Sequence, residues 1–305
     1  MQNFAPIALF VYNRPDHARR TLNFLQKNLL ADESRLFIFS DGPKEGEEEN
    51  VRAVRELVRN ADGFKSVEVI EREYNFGLAN SVIDGVTRLN REYGKVIVIE
   101  DDVISSPYML QYFNDALRKY EQEEKVMHVT AFMYPIDPQD LPETFFLRIV
   151  SSQAWATWNR AWQFFEPNID KLMESFSPES RYEFEVEGAM NFWKHMKEFK
   201  AGRNNSWAIR WYASVFLKKG LSVNPAASLI DNIGHDGSGV HSEISTIYKV
   251  NINKSRISHF PDQLEEDRKA LLKVKYFLKH RKGTLLQRGM RYMNNVLTRL
   301  KKRKA

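Results

Sequence analysis

The sequence predicts an α/β fold: a mostly parallel, doubly wound, Rossmann-like sheet with helices on both faces. Short apolar runs of β-forming residues alternate with helical stretches through the first 131 residues, joined by short loops. The run Val96–Ile99 has no polar alternation, as expected of a strand buried on both faces. Polar residues follow the strands, and in such sheets the carboxyl ends of the strands form the ligand crevice.

Each element of the first half has a local signal. Asp16 can cap the first helix, and the acidic run 45–50 suits the positive end of the second helix dipole. The predicted strands are 7–12, 36–39, 66–70, 96–99 and 125–131, and the predicted helices are 17–28, about 50–61, 80–93 and 107–123.

The alternation is lost after residue 131, where three prolines mark a loop. A strand is predicted over 145–150, and Trp155, Trp158 and Trp162 follow near helical spacing. Such a stripe belongs either to the core or to a sugar-stacking surface. The remaining predictions are two helices within 170–202, a helix to about 219, strands over 221–225 and 228–233, and helices over 262–280 and from 285.

Composition limits the classes of function. The chain has 305 residues and no cysteine, so any metal must bind oxygen or imidazole ligands. No apolar run approaches the ~20 residues of a membrane-spanning helix, and no signal-peptide pattern opens the chain. We therefore expect a cytoplasmic location.

The basic charge is concentrated at the C-terminus. From Arg268 onwards there are 14 of the 45 Lys and Arg residues and no acid. The stretch from 285 to 304 is amphipathic and basic, which favours binding to an anionic membrane surface. The alternatives are a solvated helix on the body of the protein and RNA binding. No RNA-binding motif accompanies the tail, so a nucleic-acid partner is not expected.

Three acids, Glu100, Asp101 and Asp102, end the Val96–Ile99 strand. Their mutual repulsion is relieved if a cation or sugar hydroxyl groups bind there, and hard oxygen ligands suit Mn²⁺ or Mg²⁺. The alternative is a solvated turn. No dinucleotide fingerprint and no P-loop motif is present.

Four segments resemble the GT-A-fold, nucleotide-sugar-dependent glycosyltransferases. They are Ile7-Ala-Leu-Phe-Val-Tyr-Asn-Arg-Pro15, Ser40-Asp-Gly42, Asn75-Phe-Gly-Leu-Ala79 and Glu100-Asp-Asp-Val103. The pattern is similar to bacterial surface-polysaccharide transferases and, more distantly, to the N-acetylglucosaminyltransferase I type. The resemblance covers roughly residues 5 to 245.

The resemblance implies a role for each matching position. Asp41 would accept a hydrogen bond from uracil, Asp102 would hold Mn²⁺ or Mg²⁺, and His241 is preferred over the other histidine of its loop as a metal or diphosphate contact. The implied nucleotide-sugar contacts are Tyr12, Asn13, Arg14, Asp41, Asn75, Gly77, Glu100, Asp101 and Trp155.

One position departs from the family pattern. Many relatives have an Asp, a natural general base, where this chain has Ala208. Two interpretations remain open. Either another carboxylate deprotonates the acceptor, with Asp231 or Asp236 nearest in sequence, or the protein is a weak or inactive copy.

The resemblance implies a donor-binding half over 1–131, an acceptor-binding half over 132–245 and a basic helical tail over 246–305. The expected reaction moves a sugar from a UDP-sugar to a saccharide, expected to be linked to undecaprenyl diphosphate, with inversion. The alternatives are a sugar-phosphate nucleotidylyltransferase and a non-catalytic module that binds sugar nucleotides or glycans.

Overall fold

A computed structural model gives the fold and describes residues 4–236 and 246–281. Within these ranges the chain forms a mixed sheet of eight strands and a separate two-stranded sheet. The strands are β1 Ile7–Val11, β2 Arg35–Ser40, β3 Ser66–Glu71, β4 Lys95–Glu100, β5 Val103–Ser105, β6 Val126–Thr130, β7 Thr144–Leu147, β8 Trp155–Trp158, β9 Leu221–Pro225 and β10 Ile230–Asn232. The helices are α1 Pro15–Leu25, α2 Glu48–Arg59, α3 Leu78–Tyr93, α4 Met109–Lys119, α5 Asn159–Trp162, α6 Ile169–Glu174, α7 Pro178–Phe184, α8 Phe192–Lys200, α9 Trp207–Leu217 and α10 Arg268–His280.

The large sheet has the strand order β3-β2-β1-β4-β8-β6-β9-β7. The pairs β1–β2, β2–β3, β1–β4 and β6–β9 are parallel, whereas β8 is antiparallel to β4 and β6, and β7 to β9. The first crossovers place β2 and β3 on one side of β1, and the chain then returns to place β4 on the other side. This reversal puts a crevice beyond the carboxyl ends of β1 and β4.

Helices cover both faces of the sheet, as predicted. Helices α1, α2 and α4 pack on one face, where Leu22, Val54 and Phe113 share a buried cluster with alternate residues of the central strands. Helices α3, α5 and α9 pack on the other face, in a second cluster that contains Val86 and Trp211. Adjacent residues of a strand point to opposite faces, which is why the central strands are apolar throughout.

The tryptophan segment is a strand and not the start of a helix. Trp155 and Trp158 belong to β8, which lies between β4 and β6. A spacing of three residues places side chains on opposite faces of a strand, and the two indoles lie in different clusters. The near-helical spacing of the tryptophans does not reveal this strand, because a strand buried on both faces shows no period-two signal.

The C-terminal half differs from the predictions in two other places. Three helices, α6, α7 and α8, replace the two predicted within 170–202, and Pro178 begins the middle one. Helix α10 begins at Arg268, later than predicted, and packs beside β7. The helix predicted from 285 lies outside the described residues. No helix in the described part of the chain is long and apolar enough to cross a membrane.

Candidate active site

A cleft of about 450 Å³ opens at the carboxyl ends of β1, β2 and β4, where the topology predicts a ligand. Its walls come from the loops after these strands, the start of α3 and the segment after β10. The polar and glycine residues that line it are Tyr12, Asn13, Arg14, Asp41, Lys44, Glu47, Asn75, Gly77, Ser81, Glu100, Asp101, Asp102, Asn232, Gly234 and His235. The structure thus brings together the predicted donor-side residues, with the exception of Trp155.

The acidic residues form a tight turn between β4 and β5 that is fixed from both sides. On one side, Thr21 of α1 donates a hydrogen bond from Oγ1 to the Asp101 carbonyl oxygen (2.7 Å) and accepts one from the Val103 amide (3.2 Å). On the other side, the Ile233 amide donates to the Asp102 carbonyl oxygen (2.8 Å). The backbone of the turn is therefore held rigidly while its carboxylates face the cleft.

The carboxylates carry more negative charge than their neighbours compensate. Arg14 Nη2 lies 2.5 Å from Asp101 Oδ1 and 3.0 Å from Asp102 Oδ2. Burial, followed by repulsion from Asp102 and Asp101, raises the pKa of Glu100 to about 8. Burial also raises the pKa of Asp101 to about 6, although Arg14 opposes that rise. One guanidinium cannot balance all three carboxylates, and the raised pKa values of Glu100 and Asp101 show that full ionisation of the turn is unfavourable, so further positive charge would be bound favourably.

The segment after β10 closes the turn from the opposite side. Pairing of β10 with β5 places Asn232 opposite Val103, and Asn232 Nδ2 donates to Asp102 Oδ1 (3.0 Å). The Gly234 amide donates to Asn232 Oδ1 (2.8 Å). A methyl group on Gly234 would overlap Asp102 Oδ2, so the close approach of this backbone requires glycine.

Two buried polar atoms that line the cleft have no hydrogen-bond partner among the described residues. They are Ser81 Oγ and His235 Nε2. Buried polar groups are nearly always paired, so these atoms indicate a polar ligand. Asp102 and His235 together offer the hard oxygen and imidazole donors that suit Mn²⁺ or Mg²⁺. Yet the described residues contain no preformed group of three or more His, Asp or Glu metal ligands.

Asp41 braces the loop that leads into α3. Its Oδ1 accepts hydrogen bonds from the amides of Gly42 (2.9 Å) and Phe76 (2.8 Å), and its Oδ2 accepts from Gly77 (2.9 Å). Asn75 Nδ2 donates to the Gly42 carbonyl oxygen (2.8 Å), which ties the same two loops together. Both side chains line the cleft, as predicted. Their hydrogen bonds hold together the two loops that form this wall of the cleft.

Tyr12 and Asn13 are held by Glu47, which sequence reasoning missed. The Tyr12 hydroxyl donates to Glu47 Oε2, and Asn13 Nδ2 donates to Glu47 Oε1 (2.8 Å). Burial and the bond to Glu47 raise the pKa of Tyr12 to about 12, so the phenol stays neutral near pH 7. Glu47 lies in the acidic run before α2, where its charge suggested only an interaction with the helix dipole. No sequence signal indicates that it turns towards β1.

Trp155 requires a correction. Its side chain has no solvent exposure, and its ring packs 5.2 Å from the ring of Trp207 and 5.3 Å from that of His128. The position of β8 between two other strands leaves this indole no path to the cleft. The prediction that Trp155 contacts a sugar was therefore wrong, and its role in the core was the correct alternative.

The candidates for the acceptor side are scattered. Asp231 Oδ1 accepts from the Val250 amide (3.4 Å) and does not line the cleft, because Asn232, its neighbour in β10, takes the cleft-facing position. Asp231 therefore lies outside the cleft lining, and its choice as a base stays a prediction. Asp236 Oδ2 lies 3.2 Å from His17 Nε2, next to the cleft residue His235. Ala208 packs against the cluster beneath α9, and His241 lies outside the described residues.

A mostly parallel sheet with an acidic turn at its topological switch point is the arrangement expected of a GT-A glycosyltransferase. The family model described as glycosyl transferase family 2 matches residues 7–178, more than half of the chain. The chain belongs to this family and is a glycosyltransferase. No curated protein sequence is significantly similar to it.

Three solved structures illustrate the similarity of fold. The mannosyltransferase PcManGT from Pyrobaculum calidifontis, in complex with GDP-Man and Mn²⁺, is 12% identical, with a TM-score of 0.38 over 71% of this chain and 70% of that one. GalNAc-T7 with UDP, GalNAc and Mn²⁺ is 9% identical, with a TM-score of 0.45 over 76% of this chain and 44% of that one. TarS from S. aureus is 16% identical, with a TM-score of 0.37 over 53% of this chain and 30% of that one. The chain therefore spans less than half the length of the last two.

Proposed function

We propose that the protein transfers a sugar from a UDP-sugar to a saccharide, in a reaction that requires Mn²⁺ or Mg²⁺. The observation that carries the proposal is the cleft itself. It combines an over-charged acidic turn, two unpartnered polar atoms and the loops after β1 and β2. A nucleoside diphosphate has the size and polarity to fill such a crevice. The topological switch point of the sheet is also where a ligand is expected to bind.

Asp102 and His235 would hold the divalent ion together with the diphosphate oxygens. An ion bound there supplies positive charge for the nucleoside diphosphate as it departs. Glu100 and Asp101 would accept hydrogen bonds from ribose and donor-sugar hydroxyl groups. Tyr12, Asn13 and Asp41 would line the base, with Asn75 and Gly77 shaping the loop beside it.

The acceptor would be a saccharide linked to undecaprenyl diphosphate in surface-polysaccharide synthesis. Asp236 remains the candidate base for an inverting transfer, since it adjoins His235 at the edge of the cleft. An acceptor of this kind requires the enzyme to work at the inner face of the cell membrane. Two exposed apolar side chains of α10, Leu272 and Tyr276, support contact with a membrane surface beside the basic tail.

The decisive experiment incubates the protein with Mn²⁺ and a panel of nucleotide sugars and measures the nucleotide released. Release of UDP from one donor supports the proposal. Pyrophosphate-dependent formation of a nucleoside triphosphate would identify a nucleotidylyltransferase instead. Binding without turnover would identify a non-catalytic module.

The metal assignment is tested with Asp102→Ala. This change removes the carboxylate that accepts from Asn232 and that we propose as a metal ligand, so we expect Mn²⁺-dependent binding of UDP to fall at least 100-fold. Isothermal titration with and without Mn²⁺ measures it. Asp115→Ala is the matched control, because Asp115 pairs with Arg118 on α4 and does not line the cleft. Unchanged affinity in Asp102→Ala would refute the assignment.

A further inference from the structure

Arg14 lies among the acids of the turn as an internal cation. A single nitrogen, Nη2, contacts both Asp101 Oδ1 (2.5 Å) and Asp102 Oδ2 (3.0 Å). The Arg14 side chain is 19% exposed, against 6% for Asp101 and 12% for Asp102. The guanidinium is therefore the most exposed of these three charged groups, and all three line the cleft.

Both carboxylate oxygen atoms of Asp102 already have a partner in this arrangement. Its Oδ1 accepts from Asn232, its Oδ2 accepts from Arg14, and the backbone of Gly234 is pressed against the same Oδ2. Of these three neighbours, Asn232 and Gly234 are fixed by the pairing of β10 with β5. Arg14 is the neighbour that can leave, because a long, flexible side chain joins its guanidinium to the start of α1.

We propose, building on the function proposed above, that Arg14 competes with the divalent ion for Asp102 and moves to the diphosphate of the donor when the donor binds. Metal alone then binds weakly, and metal with nucleotide binds tightly. The protein thereby takes up its metal with its donor.

The physical basis is charge balance. Two cations at one carboxylate repel each other strongly at the few ångström separations available, so a divalent ion must displace the guanidinium or bind at a distance. Displacement without a new partner would leave a half-buried guanidinium unpaired, which is costly. A diphosphate provides that partner, because the guanidinium fork matches phosphate oxygens bidentately. Each of the two bound species then improves the binding of the other, and this coupling is reciprocal.

The test measures the affinity of the full-length protein for Mn²⁺, with and without UDP, by electron paramagnetic resonance of free Mn²⁺. In Arg14→Gln we expect Mn²⁺ alone to bind about tenfold more tightly than to the wild type, because the competing charge is gone. We expect UDP in the presence of Mn²⁺ to bind about tenfold more weakly, because a phosphate contact is lost. A residue that merely stabilises the fold would not shift the two affinities in opposite directions.

Arg19→Gln is the matched control. It removes the same charge from the same helix, but Arg19 pairs with Asp16 on the surface and does not line the cleft. Both affinities should stay within about twofold of the wild type, since exposed pairs contribute little.

The outcomes separate this inference from the proposed function. A fall in both affinities of Arg14→Gln, or no change in Mn²⁺ binding alone, overturns the competition. If Arg14→Gln does not fold, the wild type decides: equal Mn²⁺ affinity with and without UDP overturns the inference, and at least tenfold coupling supports it. A wild type that binds no nucleotide with any metal overturns the proposed function as well.

Discussion

At the scale of single residues, Glu100 links the acidic turn to the stability of the whole protein. Burial and the neighbouring acids raise its pKa to about 8. A raised acid pKa means that the folded protein holds a proton that the unfolded chain has already released. Glu100 therefore contributes to stability at low pH, and this contribution is lost as the pH rises through the pKa that Glu100 has in the folded protein.

We predict that the metal-free protein loses about 2 kcal/mol of unfolding free energy between pH 6.5 and 8.5. The window begins at pH 6.5 because of His128. Burial lowers the pKa of His128 to about 3, so this group opposes the loss of stability only below pH 6.5, the pKa of a histidine in the unfolded chain. Urea unfolding in a chelator measures the slope. Glu100→Gln should flatten it, and an equal slope in that variant would show that another group is responsible.

The site residues that the sequence predicted share one property: they lie within a few positions of a strand end. Arg14 and Asp41 could be placed because parallel strands bring their carboxyl ends to one edge. Asn232 and His235 could not, because their place depends on which distant strand β10 pairs with. The prediction that Trp155 contacts a sugar was wrong for a different reason. Its residue type fits both a core and a sugar surface, and burial alone distinguishes them.

At the scale of elements, Arg160 joins α4, β6 and β8. Its guanidinium donates to the carbonyl oxygens of Tyr120 (2.7 Å), Glu121 (2.8 Å) and Val126 (2.9 Å) and lies 4.4 Å from the centre of the Trp158 ring. It thereby caps carbonyl groups that follow α4, of which the Tyr120 oxygen also accepts from the Glu123 amide (3.1 Å). Arg160 therefore has a structural role.

Arg160→Ala should lower the unfolding free energy by about 3 kcal/mol, because three carbonyl groups lose a charged donor at once. Urea denaturation followed by circular dichroism measures the change. The control is Arg118→Ala, whose side chain is 58% exposed and pairs within α4, and we expect a loss of about 0.5 kcal/mol or less. Similar losses in both variants would contradict the structural role.

The elements themselves were predictable where chain neighbours are also spatial neighbours. The βα units from β1 to β4 follow from local signals, since each crossover helix covers the strands that it joins. From β6 onwards the sheet inserts β8 between β4 and β6 and places β7 at the edge beyond β9. Hydrophobic periodicity predicts single strands and helices, and it does not predict the order in which distant strands pair.

At the scale of the whole molecule, the match to glycosyl transferase family 2 ends at residue 178, while the cleft extends to His235 and the basic charge to the C-terminus. The match therefore covers the loops after β1, β2 and β4, and it leaves out β10, which supplies Asn232 to the cleft, and the basic C-terminal stretch.

We predict that removal of residues 284–305 shifts the protein from the membrane fraction to the soluble fraction, because most of the basic residues after Arg268 are lost. Sedimentation with vesicles of anionic or of neutral lipid measures binding in vitro. The full chain should sediment with anionic vesicles alone. Equal sedimentation of the full and the shortened chain would contradict a role for the tail in membrane binding.

The hydrogen bond between Asn232 and Asp102 joins residues that are far apart in the order of synthesis. On the ribosome, the strands that carry Tyr12, Asp41 and Asp102 emerge first and can pair as they appear. The last wall of the cleft is missing until the segment around Gly234 has left the exit tunnel. The cleft is therefore complete only when most of the protein has been made.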